Sequence, residues 1–410
     1  MGKVKILKCV NCGMEYEPET LDYVCPLCGN IKGTMDVLYD YESIKRVFTK
    51  GELKKSKEYS HWRYLPILPC ESEFVPSLVV GFTPMYKSER LNRYLGVKEL
   101  YIKDDGRNPS GSLKDRASTV GVAKALEKGK KIITAASTGN AAASLANICA
   151  TVGLDCRIFV PASAPAPKIA QLLVFGAKVY AVNGNYDQAF DLCLVATEKL
   201  GWYSRNTGFN PYLGEGKKTV VLEIMEQLDW RVPDRIFVSV GDGCIISSVY
   251  KGLYDLIQLE WIDKFPRIFG VQAEGSAPLY KAWREGKSLC EPMVPNTFAD
   301  SISVGIPRDQ VKALRAVRKT NGEYVAVSDD AIREAIKLLA RYGGVFGEPA
   351  GVACFAGYLQ LLENQSIDKE ERVVVIITGN GLKDPQGATS GVSERIINID
   401  PNFESLEKVL

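Results

Sequence analysis

Lys131-Ile132-Ile133-Thr134-Ala135-Ala136 runs into Ser137-Thr138-Gly139-Asn140 and then into a stretch of small residues, 141–152. The first six residues form a short apolar run suited to a buried parallel strand, and the polar turn after them leads to a helix. The alternation continues: strand 157–160, helix 167–175, strand 178–182 and helix 186–200. Strand and helix in strict succession predict a parallel α/β layer. Ligands in such sheets bind where strands end, and Ser137 to Asn140 is such an end.

Downstream the pattern returns. A helix at 217–228 leads to strand 234–240, which enters Gly241-Asp242-Gly243-Cys244 and a helix at 245–258. Strand 267–272, helices 278–284, 330–342 and 349–363, and strand 372–377 complete a second layer, whose last strand ends in Thr378-Gly379-Asn380-Gly381-Leu382-Lys383-Asp384. A glycine-bearing turn from strand to helix presents free backbone N–H groups and the positive end of a helix dipole, so the 241–244 turn suits a phosphate. The dinucleotide fingerprint needs glycine at 246, where the chain has Ile246. Gly214-Glu215-Gly216-Lys217-Lys218 lacks the earlier glycine and the final Ser/Thr of a P-loop. The phosphate therefore need not belong to a nucleotide.

Upstream, Ser77-Leu78-Val79-Val80-Gly81-Phe82-Thr83-Pro84-Met85 reads as a strand and a turn, and residues 39–64 as an exposed helix or linker. After Leu100-Tyr101-Ile102 comes Asp104-Asp105-Gly106-Arg107-Asn108-Pro109-Ser110-Gly111-Ser112-Leu113-Lys114-Asp115-Arg116, which enters a helix at about 112–128 with Lys114 near its first turn. The positive end of the helix dipole lowers the pKa of an ammonium placed there, and a lysine able to lose its proton can attack a carbonyl to form a Schiff base. The plainer alternative is a solvated Lys114 with Asp115 as the favourable N-terminal anion. Glu348-Pro349 reads first as a helix start with proline at its first position, and second as a carboxylate near the site.

At 410 residues the chain should divide into two main domains and a small appendage. Its 46% apolar and 24% charged residues are those of a globular protein, and a formal net charge of +2 gives no footprint for nucleic acid or a membrane surface. No apolar run reaches membrane-spanning length, and Met1-Gly2-Lys3-Val4-Lys5 leads into too short an apolar stretch for a signal peptide, so the expected compartment is the cytoplasm. The single histidine, His61, excludes much hydrolytic and multi-histidine metal chemistry. Eleven cysteines read as reduced thiols with one metal site: Cys9 and Cys12 form one CxxC knuckle, Cys25 and Cys28 another, and four thiolates at this spacing suit a structural tetrahedral zinc.

An amine able to be neutral, a phosphate cradle and small hydroxyl or amide groups at four strand ends together describe a pyridoxal phosphate site. The motifs Asn108-Pro109-Ser110-Gly111-Ser112-Leu113-Lys114-Asp115-Arg116, Ser137-Thr138-Gly139-Asn140 and Thr378-Gly379-Asn380-Gly381-Leu382-Lys383-Asp384-Pro385 resemble the threonine synthase family, fold-type II enzymes of the tryptophan synthase β group, over residues 75–390. The resemblance implies an α/β fold of two parallel-sheet domains behind a zinc-ribbon-like segment. Its divisions are 1–40 for the ribbon, 41–120 with 216–392 for the large cofactor-binding domain, 121–215 for the small one and 393–410 for a peripheral tail.

The same resemblance makes Lys114 the Schiff-base lysine and Asn140 a contact of the pyridine hydroxyl. It gives Gly241, Asp242, Gly243 and Cys244 the cofactor phosphate and Thr378 the ring nitrogen, and it sets Ser137, Thr138, Gly139 and Asn140 on the substrate carboxylate. It implies a homodimer converting O-phosphohomoserine and water to threonine and phosphate. One departure bears on the substrate. The family's Asn-Pro-x-Arg-x-Glu-Gly reads Asn210-Pro211-Tyr212-Leu213-Gly214-Glu215-Gly216 here, and Leu213 cannot bind phosphate. Either Lys217, Lys218 or Arg205 replaces the arginine, or the substrate differs. The readings kept beside it are a β-replacement enzyme such as cysteate synthase using O-phosphoserine, a threonine or serine dehydratase, and a catalytically silent zinc-ribbon regulator.

Overall fold

The computed structural model describes residues 4–164, 166–393 and 396–410. Residues 1–3, part of the stretch read for a leader, and residues 394–395 of the expected tail lie outside that set. The described chain forms three sheets. Strands β1 (Val4–Cys9), β2 (Glu15–Tyr16) and β3 (Met35–Tyr39) make a small antiparallel sheet in the order β2-β1-β3. Strands β4 (Met85–Tyr86) and β5 (Glu99–Asp104) form one edge of a six-stranded sheet. Strands β6 (Ile132–Ala136), β7 (Asp155–Pro161), β8 (Lys178–Val182) and β9 (Tyr203–Ser204) form a separate parallel sheet in the order β8-β7-β6-β9. Strands β10 (Arg235–Ser239), β11 (Arg267–Ala273), β12 (Tyr324–Val327) and β13 (Arg372–Ile377) complete the large sheet. Its order is β12-β11-β10-β13-β5-β4, parallel except for β4.

The centre of the large sheet follows from composition. β13 carries Val373, Val374, Val375, Ile376 and Ile377, all buried, a β-branched run that suits a strand covered on both faces. It lies between β10 and β5, so the loops leaving these three strands emerge side by side. The Leu113 N–H donates to the Thr378 carbonyl at 2.9 Å, and Asn380 N–H donates to the Gly111 carbonyl at 2.9 Å. Two loops far apart in sequence are thereby stitched together, and the helix Lys114–Glu127 starts at the seam.

The large sheet and the small antiparallel one share a packed core, and buried polar contacts pin them: Tyr39 Oη donates to Glu215 Oε2 at 2.6 Å and Lys312 Nζ to the Met35 carbonyl at 3.1 Å. No helix of the described residues is long and apolar enough to cross a membrane.

Several elements differ from expectation. Residues 77–84 form no strand, because Gly81 and Phe82 adopt φ of +81° and +49° and Pro84 has no N–H. Their amides are satisfied by side chains instead: Gly81 N–H donates to Asn108 Oδ1 at 2.9 Å and Phe82 N–H to Glu223 Oε1 at 2.7 Å. Nor is the 39–64 segment simply exposed. It forms two short helices, and His61, Trp62, Arg63 and Tyr64 are buried in the 3-10 turn His61–Ile67. The helix expected from 217 begins at Tyr212, which places Gly214-Glu215-Gly216 inside it. The helix expected to reach 342 is α-helical only over Asp329–Leu338, continuing as a π turn, Leu339–Gly343. Helices Glu89–Leu95 and Gln310–Lys319, and strands β9 and β12, were not foreseen.

Candidate active site

Lys114 is the first residue of its helix and lines a cavity. Asn140, the whole 241–244 turn, Glu348 and Thr378 line the same space. Four strand ends meet there: β5 through the Lys114 loop, β6 through Asn140, β10 through the glycine turn and β13 through Thr378. The cavity opens past Asn140, Ser301, Glu348 and Ala350 into a cleft of about 700 Å³, which Thr138, Gly139 and Lys383 also line. Among the residues lining this cleft Lys383 Nζ donates to Gln171 Oε1 at 2.8 Å and Lys168 Nζ to Asp300 Oδ2 at 2.8 Å. Ser137 lines neither space. Its Oγ accepts from Gly139 N–H at 3.2 Å and so shapes the turn.

The glycine turn has the features of an anion cradle. Gly243 sits at φ +87°, where an added Cβ would meet Ala313 Cβ at 2.6 Å, so only glycine fits. It precedes the fifteen-residue helix Cys244–Gln258, whose N-terminus has no side-chain cap and leaves its first N–H groups free. Asp242 does not compete for that position: its Oδ1 accepts from Arg308 N–H at 3.2 Å. Burial pushes the Cys244 thiol up to about 12, so the residue offers its N–H and no charge. The helix Asn140–Val152 is likewise uncapped by a side chain, and its start faces the outer cleft, where a substrate carboxylate would be accepted.

The electrostatics favour a lysine able to lose its proton. Burial first, and then the neighbouring Lys217 cation, bring the Lys114 ammonium down to about 8, with Glu348 pulling the other way. Glu348, the residue before Pro349 at the head of the helix Pro349–Glu363, is raised to about 7 by burial against the opposing pull of Asn140 and Lys114. Its Oε1 accepts from Asn140 Nδ2 at 2.8 Å, and a Cβ at Gly379 would overlap its carboxylate. Sequence reading held Glu348 as a secondary candidate; the structure sets it against Asn140, 208 residues away, with no local signal in the sequence for that pairing.

An amine with a lowered pKa, an uncapped helix behind a glycine turn and the Thr378 hydroxyl around one cavity are a set of groups that fits pyridoxal phosphate. The three candidate cations separate cleanly. Lys218 is committed elsewhere, donating to Glu215 Oε2 and to Asp255 Oδ2, each at 2.5 Å. Lys217 lines the cavity and Arg205 lies beside it, while Leu213 packs towards Gly121.

Away from this site, one ligand atom from each of Cys9, Cys12, Cys25 and Cys28 lies within 4.8 Å of the others, and all eleven cysteines are free. Tyr16 Oη lies 3.2 Å from Cys25 Sγ, and Asn11 Nδ2 donates to Cys28 Sγ at 3.2 Å.

Comparison with known proteins agrees with the geometry. Residues 76–379 match the family model described as pyridoxal-phosphate dependent enzyme. The chain is 42% identical over 407 residues to a threonine synthase of Methanocaldococcus jannaschii, with 98% of each covered. It is 41% identical over 408 residues to one of Methanosarcina acetivorans, again with 98% of each covered. Among solved structures, processed threonine deaminase isoform 2 of Solanum lycopersicum superposes with a TM-score of 0.66 at 25% identity, over 76% of this chain and 83% of that one. A model match across most of the chain, and end-to-end relatives at this identity, mean that the chain belongs to the pyridoxal-phosphate dependent enzyme family, among the threonine synthases.

Proposed function

We infer that this chain converts O-phosphohomoserine and water to threonine and phosphate. The observation that carries the reading is the convergence of Lys114, the 241–244 turn, Asn140 and Thr378 on one cavity in a chain matched end to end by threonine synthases. In the net reaction the substrate's Cγ–O bond breaks, and its electron pair leaves with the phosphate. Cβ loses one proton and takes the hydroxyl of water, Cγ gains a proton, and the remaining proton of water goes to the phosphate. Pyridoxal phosphate, when bound, supplies a sink for the charge that develops on the substrate carbons. Lys114 carries protons among those carbons as base and then acid, which its lowered pKa permits. The N–H groups of 241–244 hold the cofactor phosphate. Thr378 would offer the ring nitrogen of the cofactor a hydroxyl in place of a carboxylate. Thr138, Gly139 and Asn140, at the uncapped helix start, orient the substrate carboxylate in the outer cleft.

Purified chain given pyridoxal phosphate and O-phosphohomoserine should release phosphate and threonine in equal amounts. Release of a keto acid, or turnover of O-phosphoserine with sulfite alone, would overturn the reading.

The four cysteines form a structural zinc site in this reading. A tetrahedron with Zn–S of about 2.3 Å has S···S edges of about 3.8 Å. The Cys12 to Cys25 separation is 3.8 Å. The hydrogen bonds from Tyr16 and Asn11 would orient the sulfurs. Elemental analysis should find about one zinc per chain, and Cys25→Ser should remove it and lower the Tm by several degrees. A wild-type chain purified without metal and equally stable would refute the assignment.

A further inference from the structure

Buried cations in this chain stand against carboxylates. Lys103 pairs with Glu223, Lys218 with Glu215 and Asp255, Lys251 with Asp255, and Arg116 with Asp105 and Glu223. Lys217 and Arg205 break the pattern. Lys217 is only 2% exposed, yet it makes no hydrogen bond or ion pair among the described residues. Arg205, 1% exposed, donates Nε to Ser118 Oγ at 3.1 Å and reaches Thr207 Oγ1 at 3.5 Å, while its Nη2 has no partner among the described residues. The nearest acids make no ion pair with either cation: Asp242 accepts from the Arg308 N–H, and Asp309 accepts from Ser247 Oγ at 2.6 Å through Oδ2, its Oδ1 having no partner among the described residues. Taking a charge out of water is costly unless it meets its opposite. Two buried cations that no carboxylate contacts directly, one of them lining a cavity, therefore mark a place where an anion can enter.

The place is next to the cofactor cradle but not the cradle itself. Lys217 lines the inner cavity together with Thr207, Asp242 and Cys244, and it also lines a smaller adjoining cavity bounded by 208–211, Leu213 and Gly214, where Lys312 is a second cation beside Asp309. The uncapped N–H groups of the glycine turn can take the cofactor's phosphate without it. Lys217 is also four residues after Leu213 in the helix Tyr212–Gln227, hence on the same face one turn further along. The cation missing at 213 is present one turn on, and its long side chain reaches the cavity that Leu213 borders.

We propose that Lys217, backed by Arg205, receives the phosphate of the substrate, and that this pair makes the site select a phosphate ester over an amino acid with a free hydroxyl. The proposal rests on the reaction inferred above and adds the residues that recognise its leaving group. Lys217→Met in the holoenzyme should raise KM for O-phosphohomoserine by about 10–100-fold, the range for one charge-assisted hydrogen bond, with a smaller change in kcat. Inhibition by inorganic phosphate should weaken in parallel. The cofactor content and visible band should match wild type, and Lys217→Arg should recover most of the loss. Because the lysine is buried without a partner, the apo Lys217→Met chain should melt no lower than wild type.

Loss of cofactor in Lys217→Met, whether or not KM moves, would assign the lysine to the cofactor and overturn the proposal; so would an unchanged KM and phosphate inhibition. If wild type fails to turn over O-phosphohomoserine, the inferred reaction falls but this proposal is still decided. Inorganic phosphate titrated into each holoenzyme and followed by cofactor absorbance should then bind wild type at least 10-fold more tightly, and equal binding would refute it.

Discussion

With Lys114 replaced by alanine, the holoenzyme loses the absorbance band near the visible edge that a lysine-tethered pyridoxal phosphate gives, and threonine formation falls by on the order of 10⁴-fold or more. In the proposed mechanism two roles would disappear with one side chain: the covalent hold on the cofactor aldehyde and the proton carrier beside the substrate carbons. The cradle for the phosphate is unaffected, because the 241–244 turn and the uncapped helix behind it are built from backbone. Cofactor should therefore still bind, more weakly, and a small added amine should restore a fraction of the activity. Lys114→Arg separates charge from chemistry. It keeps a cation beside Glu348 but cannot give up its proton, so it should be as inactive as the alanine variant and should not respond to added amine. Wild-type absorbance and turnover in Lys114→Ala would remove the lysine from the mechanism altogether.

The strand ends were legible because a buried parallel strand advertises itself twice, by a β-branched or small apolar run and by the polar turn that stops it. β6 with Ser137 to Asn140 after it, and β13 with Thr378 after it, meet both conditions. β12 does not: it is four residues long, Tyr324–Val327, inside a stretch rich in turns, and it exists because β11 pairs with it. Residues 77–84 failed in the opposite sense. Their apolar run matched a strand, but their amides go to Glu223 and Asn108, partners that no local pattern reveals.

The adjacent lysines show a finer limit. In sequence Lys217 and Lys218 are equivalent, whereas on a helix they point about 100° apart. Only the packing of the helix decides that Lys218 meets Glu215 and Asp255 while Lys217 meets the cavity. Chemistry carried by residue type at a strand end could be read from the chain; chemistry carried by the pairing of distant side chains, such as Glu348 with Asn140, could not.

Arg116, two residues beyond Lys114, should have the largest effect on stability of any single side chain outside the site: Arg116→Met should cost about 3–5 kcal/mol in denaturant unfolding at neutral pH. The guanidinium donates Nε and Nη2 to the two oxygens of Asp105 at 2.7 and 2.8 Å, and Nη2 also reaches Glu223 Oε2 at 2.7 Å. Lys103 Nζ completes the cluster, donating to Glu223 Oε2 and to the Thr83 carbonyl, each at 2.7 Å. None of these ionic side chains is exposed, and two cations balance two carboxylates. Removing Arg116 strands one buried negative charge, whereas the double variant Arg116→Met with Glu223→Gln restores balance between Lys103 and Asp105. The double variant should therefore be less destabilised than the sum of the two single changes.

The pH dependence has a definite sign. Burial alone would raise the Glu223 carboxyl, but Arg116 and Lys103 outweigh it and hold the group at about 2, below its ordinary 4.5. A carboxyl depressed by folding contributes stability that is fully present above about pH 4.5 and is lost as pH falls towards 2. Without Arg116 that depression shrinks, so the gap between variant and wild type should be widest at neutral pH and narrow below pH 4.5, once Glu223 can take up a proton. A gap that stayed constant from pH 7 to pH 4, measured on both proteins with the same cofactor occupancy, would mean that Arg116 stabilises by packing and not by charge. Because the cluster joins β5, the Lys114 helix and the helix that carries Lys217, its loss should also loosen the spacing between the two active-site amines. kcat should then fall in folded Arg116→Met even though no atom of Arg116 lines the cavity.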